Sequence, residues 1–160
     1  MYGCLVLPII YLFCFRRERS RAAYLAMSLS GYSAMIDVMK LLYAAPRPFW
    51  SSDAIEAIKC SSQYGDPSGH SFSTVGFAVQ LALDYIARHN AGPLESILWL
   101  TVALLHGFSV AYSRVFLGVH SYDQILFGSL LGLWMALTLH YIARGPTLEH
   151  LNRVINLKER

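Results

Sequence analysis

The chain has 160 residues, of which 55% are hydrophobic and only 14% charged, with a formal charge of +3 at neutral pH and a mean hydropathy of +0.41. This balance excludes an ordinary soluble domain and makes a bilayer the expected solvent. Apolar stretches then follow at about residues 2–15, 22–45, 71–87, 96–112 and 123–143, and most reach the roughly 17–25 residues that a spanning helix needs. The first is short and carries Pro8 at its middle, so it reads as a truncated helix, a tilted partial span or a segment lacking residues upstream. Its charges lie behind the apolar run rather than ahead of it, which speaks against a cleaved signal peptide. The expected fold is therefore all-α: a single polytopic transmembrane helix bundle over 1–160, with five spans visible and a short tail from about residue 145.

Lys and Arg in short loops stay on the cytoplasmic side, and the run Arg16-Arg17-Glu18-Arg19-Ser20-Arg21 is the strongest such signal. Placing it inside sends the second stretch outward, the third inward to Arg88, the fourth outward and the fifth inward to Arg144. Nine of the thirteen basic residues then lie inside, leaving Lys40, Arg47, Lys59 and Arg114 on the far face.

Three of those four cations belong to short polar strings in an otherwise apolar chain. The first runs from Lys40, near the outer end of the second stretch, to Arg47-Pro48, where Pro46 and Pro48 stop the helix and leave Arg47 on a rigid turn. The second is Pro67-Ser68-Gly69-His70, leading straight into an apolar helix. Ser68 can cap that helix, Gly69 admits close backbone approach, and the first N–H groups make an anion site. The third is Ser113-Arg114 with His120, where the planar guanidinium suits two oxygens of a phosphoryl group. Lys40, Arg47, Ser68, Gly69 and Arg114 can thus surround one tetrahedral dianion. The two histidines supply the chemistry: His120 to attack phosphorus, His70 to protonate the leaving oxygen and then activate water. No metal or other cofactor is called for, because the cations stabilise the transition state.

These strings resemble the type 2 phosphatidic acid phosphatase and haloperoxidase superfamily, whose signatures read KxxxxxxRP, PSGH and SRxxxxxHxxxD. The resemblance spans residue 40 to about 124. It implies phosphate binding by Lys40, Arg47, Ser68, Gly69 and Arg114, a nucleophile at His120, an acid at His70, and a core of six spans. It implies a membrane phosphatase for a lipid phosphate or diphosphate, of phosphatidate, lysophosphatidate, sphingoid or prenyl type, in the endoplasmic reticulum or plasma membrane with its site non-cytoplasmic. The signature's aspartate falls where this chain has Gln124, with Asp123 one residue earlier. Positions three and four along a helix both face the starting residue, so either can orient His120. Gln124 and Trp50 are similar to the glucose-6-phosphatase branch, which leaves a soluble sugar phosphate as the alternative substrate, and an inactive scaffold or fragment as an alternative of another class.

The partners expected are the bilayer and the phosphate ester. No nucleic acid is expected, and the oligomeric state is left open. Other polar residues have plain readings. His106 and His140 are expected to be hydrogen-bonded within the bundle, Asp37 to pair with Lys40, and Asp84 with Arg88 at the inner surface. Gly128 and Gly132 form a GxxxG suited to close packing within the protomer. A disulfide between Cys4 and Cys60 is conceivable, and Phe49, Trp50 and Tyr64 offer an aromatic wall at the interface.

Overall fold

A computed structural model describes residues 18–58 and 61–158 together with Ile10 and Cys14. The stretch at residues 2–15 and the proposed pairing of Cys4 with Cys60 lie outside the described residues. Among those residues every regular element is helical: α1 (Arg19–Tyr43), the short α2 (Pro48–Ser51), α3 (Gly69–His89), α4 (Pro93–Phe116) and α5 (Tyr122–Thr138). A π-turn (Leu139–Ala143) then joins α5 to α6 (Arg144–Lys158).

The helix ends follow local chemistry. Ala44 adopts the left-handed conformation, its N–H closing on the Lys40 carbonyl, and Pro46 and Pro48 forbid continuation. Pro48 then opens α2 at its first position, where its missing N–H costs nothing. Pro93 opens α4 in the same way.

Helix α3 occupies the centre and packs along α4 and α5, with α1 on its remaining side. Among the described residues three segments are long and apolar enough to cross a membrane: Arg19–Ser51, Pro93–Phe116 and Tyr122–Ile155. Helix α3 falls short in apolarity because it carries Ser71, Ser73, Thr74, Gln80 and Asp84, and its central position shields them. The outer face of α4, with Leu94, Leu98, Leu105 and Phe116, is instead exposed and apolar, as lipid contact requires.

Small residues set the spacing. Ala103, Gly107 and Ala111 form the buried stripe of α4, and a Cβ on Gly107 would lie 2.8 Å from Val75 Cγ2. His106, expected inside the bundle, is exposed because it sits beside that stripe rather than on it. Gly128 and Gly132 bring α5 onto α3, where added Cβ atoms would meet the Ser68 carbonyl oxygen at 2.6 Å and that of Phe72 at 2.3 Å. Their GxxxG thus serves packing within the protomer. Tyr24, Leu29, Tyr32, Ile36, Phe72 and Phe77 fill the core between α1 and α3.

The half of the bundle remote from the α3 N-terminus holds a run of polar contacts between helices. Gln80 Nε2 donates to Ser28 Oγ at 2.8 Å, Ser28 Oγ to the Tyr24 carbonyl at 2.9 Å, and the Tyr24 hydroxyl to the Leu139 carbonyl at 2.8 Å. That carbonyl belongs to the π-turn, which precedes Pro146 and absorbs the break in a helix that otherwise continues. Asp84 is not paired with Arg88. It accepts from Arg144 Nε at 2.9 Å, while Arg88 reaches Glu18 at 2.8 Å. The expected tail is likewise helical, with Leu148 and Leu151 of α6 packed against the core.

Candidate active site

The three polar strings meet at the α3 N-terminus. The first lies against the second, close enough that a Cβ built on Gly69 would stand 3.7 Å from Lys40 Cε. The second joins the third through the Ser68 N–H, which donates to the Gln124 carbonyl at 3.1 Å. The first joins the third through Arg47, whose Nη1 lies 2.9 Å from the Val119 carbonyl and 3.3 Å from His120 Nε2.

Burial grades the site. Lys40, Arg47, Ser68, His120 and Gln124 are all buried, whereas His70 is exposed at the mouth. Ser68 caps α3, its Oγ accepting from the Ser71 N–H at 3.5 Å and the Ser71 hydroxyl at 3.0 Å. By helix geometry the N–H groups of Gly69 and His70 have no acceptor within α3, which suits them to an anion. Lys40 Nζ donates to the Tyr64 carbonyl at 2.7 Å and Arg47 Nε to that of Gln63 at 2.7 Å. Lys40 is therefore held by backbone through one donor and Arg47 through two, and each keeps others for a ligand. Arg114 is steadied by its neighbour, with Nε and Nη2 on Ser113 Oγ at 3.1 and 3.0 Å, and it lies within electrostatic reach of His70. Asp37 acts electrostatically on Lys40.

Of the two residues that can orient His120, the one that touches it is Gln124. Gln124 Oε1 lies 3.1 Å from His120 Nδ1, and its Nε2 donates to the Pro46 carbonyl at 2.9 Å. Asp123 is exposed, and its charge acts on Asp66 instead. The cause is a capping box: Ser121 caps α5, which makes Gln124 the third helical residue and folds its side chain back over the cap.

The hydrogen bonds assign the His120 tautomer. A guanidinium only donates, so Nε2 facing Arg47 is the acceptor. Gln124 spends its N–H on Pro46, so its oxygen receives the proton on Nδ1. The Nε2 lone pair consequently points toward the cations. Burial lowers the His120 pKa to about 4; the Gln124 hydrogen bond opposes this, and the charges of Arg47, Lys40 and His70 add to it. The imidazole is neutral at pH 7 and able to act as a nucleophile. Burial, and then Asp123, raise the pKa of Asp66, against the pull of Lys40.

Residues 19–147 match the family described as the PAP2 superfamily. The chain belongs to that superfamily. Among its PAP2 relatives is Dolichyldiphosphatase 1 of Homo sapiens, 30% identical over 139 residues, 82% of this chain and 56% of the relative. Another is the Dolichyldiphosphatase of Saccharomyces cerevisiae, 31% identical over 97 residues, 60% of this chain and 41% of the relative. The chain thus spans about half the length of these relatives. It also aligns with the crystal structure titled the first transmembrane PAP2 type phosphatidylglycerolphosphate phosphatase from Bacillus subtilis. The TM-score is 0.71 at 20% identity, over 89% of this chain and 68% of that one. At that identity the likeness is one of fold.

The side chains gathered in this candidate site are legible in the sequence of this PAP2 member, but several partners that hold them are not. The carbonyls of Gln63, Tyr64, Pro46 and Val119 act through backbone, which no side-chain motif encodes. One signal was available: Ser121 followed three residues later by Gln124 is the S-x-x-Q of a capping box, and it separates Gln124 from Asp123.

Proposed function

We propose that the chain is an integral-membrane phosphatase that cleaves a lipid phosphate or diphosphate through a phosphohistidine at His120. The observation that carries this is the buried His120 imidazole, its Nδ1 beside the Gln124 oxygen and its Nε2 facing Arg47. In the first step Nε2 attacks phosphorus, the bond from phosphorus to the leaving oxygen breaks, and that oxygen takes a proton from His70. Lys40, Arg47, Arg114 and the α3 N–H groups carry the charge on the equatorial oxygens. In the second step His70 removes a proton from water, the hydroxide displaces His120, and inorganic phosphate leaves. The exposed position of His70 at the mouth suits both roles, since the departing group and the incoming water pass there.

Three considerations favour a lipid substrate. The site sits at the end of a helix bundle whose outer faces are apolar, the aromatic pairs Phe49–Trp50 and Trp50–Tyr64 stand beside it, and the named relatives are dolichyldiphosphatases. They favour a polyprenyl diphosphate among the lipid candidates and are compatible with the endoplasmic reticulum. The distribution of Lys and Arg supports a site on the non-cytoplasmic face.

The test is purified protein in detergent, assayed against polyprenyl diphosphate, phosphatidate and glucose 6-phosphate. Wild type is expected to hydrolyse the lipids and to form an acid-labile phosphoenzyme. His120→Ala is expected to lose both activities. Undiminished hydrolysis by His120→Ala sinks the mechanism, and hydrolysis of glucose 6-phosphate alone sinks the lipid assignment.

A further inference from the structure

Outside every signature lies a run of three residues, Gln63-Tyr64-Gly65, whose backbone touches both buried cations and the turn between them. The Gln63 carbonyl accepts from Arg47 Nε at 2.7 Å, and the Tyr64 carbonyl accepts from Lys40 Nζ at 2.7 Å. The Gly65 N–H donates to the Ala45 carbonyl at 2.8 Å. Gln63 and Tyr64 turn their side chains out to the surface, and Gly65 is buried. A Cβ on Gly65 would stand 2.6 Å from Gln124 Nε2, 2.9 Å from Gln124 Oε1 and 2.8 Å from the Pro46 carbonyl oxygen. All three distances are below what a side chain tolerates, and two of them fall on the amide that orients His120.

We propose that Gln63-Tyr64-Gly65 is a strap that positions the two buried cations and the nucleophile together, and that Gly65 is its positioning residue, acting on His120 through Gln124. This rests on the phosphohistidine reading. The reasoning is steric. The Gln124 amide is wedged between the Pro46 carbonyl and the bare Cα of Gly65, and only in that position can it give its N–H to Pro46 and its oxygen to His120 Nδ1. The strap itself is pinned at three consecutive residues, by Arg47, Lys40 and Ala45. A methyl group at position 65 therefore displaces the side-chain end of Gln124, which yields first, and also presses on the Pro46 backbone carbonyl, so that His120 loses the partner that fixes its tautomer and aim. Lys40 and Arg47 keep the Tyr64 and Gln63 carbonyls, which lie upstream of the substitution.

The experiment is Gly65→Ala, alone and combined with Gln124→Ala, beside wild type, Gln124→Ala and His120→Ala, all as full chains in detergent. Three readouts are taken: kcat and KM on a lipid phosphate, inhibition by inorganic phosphate, and thermal unfolding. For Gly65→Ala, kcat is expected to fall by about a hundredfold, the scale of an ångström-sized misplacement. KM and phosphate inhibition should stay within about threefold, the cage being intact. In the Gln124→Ala background two of the three close contacts are gone and only that with the Pro46 carbonyl remains, so adding Gly65→Ala should lower kcat by less than about tenfold, well short of its effect in wild type. A purely structural glycine would instead lower unfolding temperature or activity equally in both backgrounds. That result overturns the proposal, as does wild-type kcat in Gly65→Ala or failure of both Gly65 variants to fold. If His120→Ala stays active, the phosphohistidine reading itself has failed, which is a separate outcome.

Discussion

Replacing Gln124 by Glu puts a charge beside His120 and also removes the donor to the Pro46 carbonyl, and only the charge makes the loss of activity depend on pH. His120 titrates at about 4 because it is buried and faces Arg47, Lys40 and His70, with only a neutral amide opposing them. A carboxylate oxygen placed where Oε1 now lies, 3.1 Å from Nδ1, would attract the imidazolium by roughly 5 kcal/mol at an effective dielectric near 20. Arg47 and Lys40 draw on the same carboxylate, and Asp66 and Asp123 stand nearby, so about half of that, roughly two pH units, is expected to survive. The sign is fixed: the acidic midpoint of His120 moves up, and activity that needs a neutral Nε2 is lost at higher pH than in wild type. At pH 7 both proteins keep the imidazole neutral. At pH 5 about nine-tenths remains neutral in wild type but only about a tenth in Gln124→Glu, so the ratio of variant to wild-type kcat/KM should fall about tenfold between pH 7 and pH 5. Taking the ratio on one substrate cancels the titration of the substrate itself. A ratio that stays flat over this range refutes the claim that His120 is the group whose neutrality limits the reaction, or that residue 124 faces it.

Two further outcomes test the packing that holds the site. Gly132→Ala places a methyl 2.3 Å from the Phe72 carbonyl oxygen, so α3 and α5 must separate at a cost of about 1–3 kcal/mol; a thermal midpoint in detergent unchanged from wild type would contradict this close approach. Asp84→Asn strips Arg144 of its charge partner, and because the pair is partly accessible, with side chains 12% and 19% exposed, the loss should be about 1–3 kcal/mol, below that of a fully buried pair. It should appear as faster proteolysis within α6 with kcat retained, and equal protection of α6 in the two proteins would argue against a bridge that holds it.

What was legible in the sequence was the part encoded in side chains and hydropathy. Lys40, Arg47, Ser68, Gly69, His70, Arg114 and His120 stand out because polar groups in an apolar chain are costly unless gathered, and the helices carrying them follow from apolar runs bounded by proline. The rest depended on which long-range partner wins. The spacing of Asp84 and Arg88 suggested a local pair, yet Glu18 at the start of α1 takes Arg88 and leaves Asp84 to Arg144, sixty residues away. Helix α6 was hidden because Arg144-Gly145-Pro146 looks like a stop, whereas the π-turn carries the helix past the proline.

The choice between Asp123 and Gln124 shows the same contest at atomic scale. Face geometry allowed both, and charge favoured the aspartate. The outcome turned on the start of a helix: with Ser121 as cap, Gln124 must fold inward over it and Asp123 outward to the surface. A neutral partner then leaves His120 unprotonated beside three other cationic or basic side chains, where a carboxylate would have favoured the imidazolium. Gln124 also does what an aspartate could not, because its second hydrogen-bonding group is a donor. By giving that N–H to Pro46 it ties the turn that carries Arg47 to the residue Arg47 faces, so that one side chain sets the spacing between that guanidinium and the proposed nucleophile.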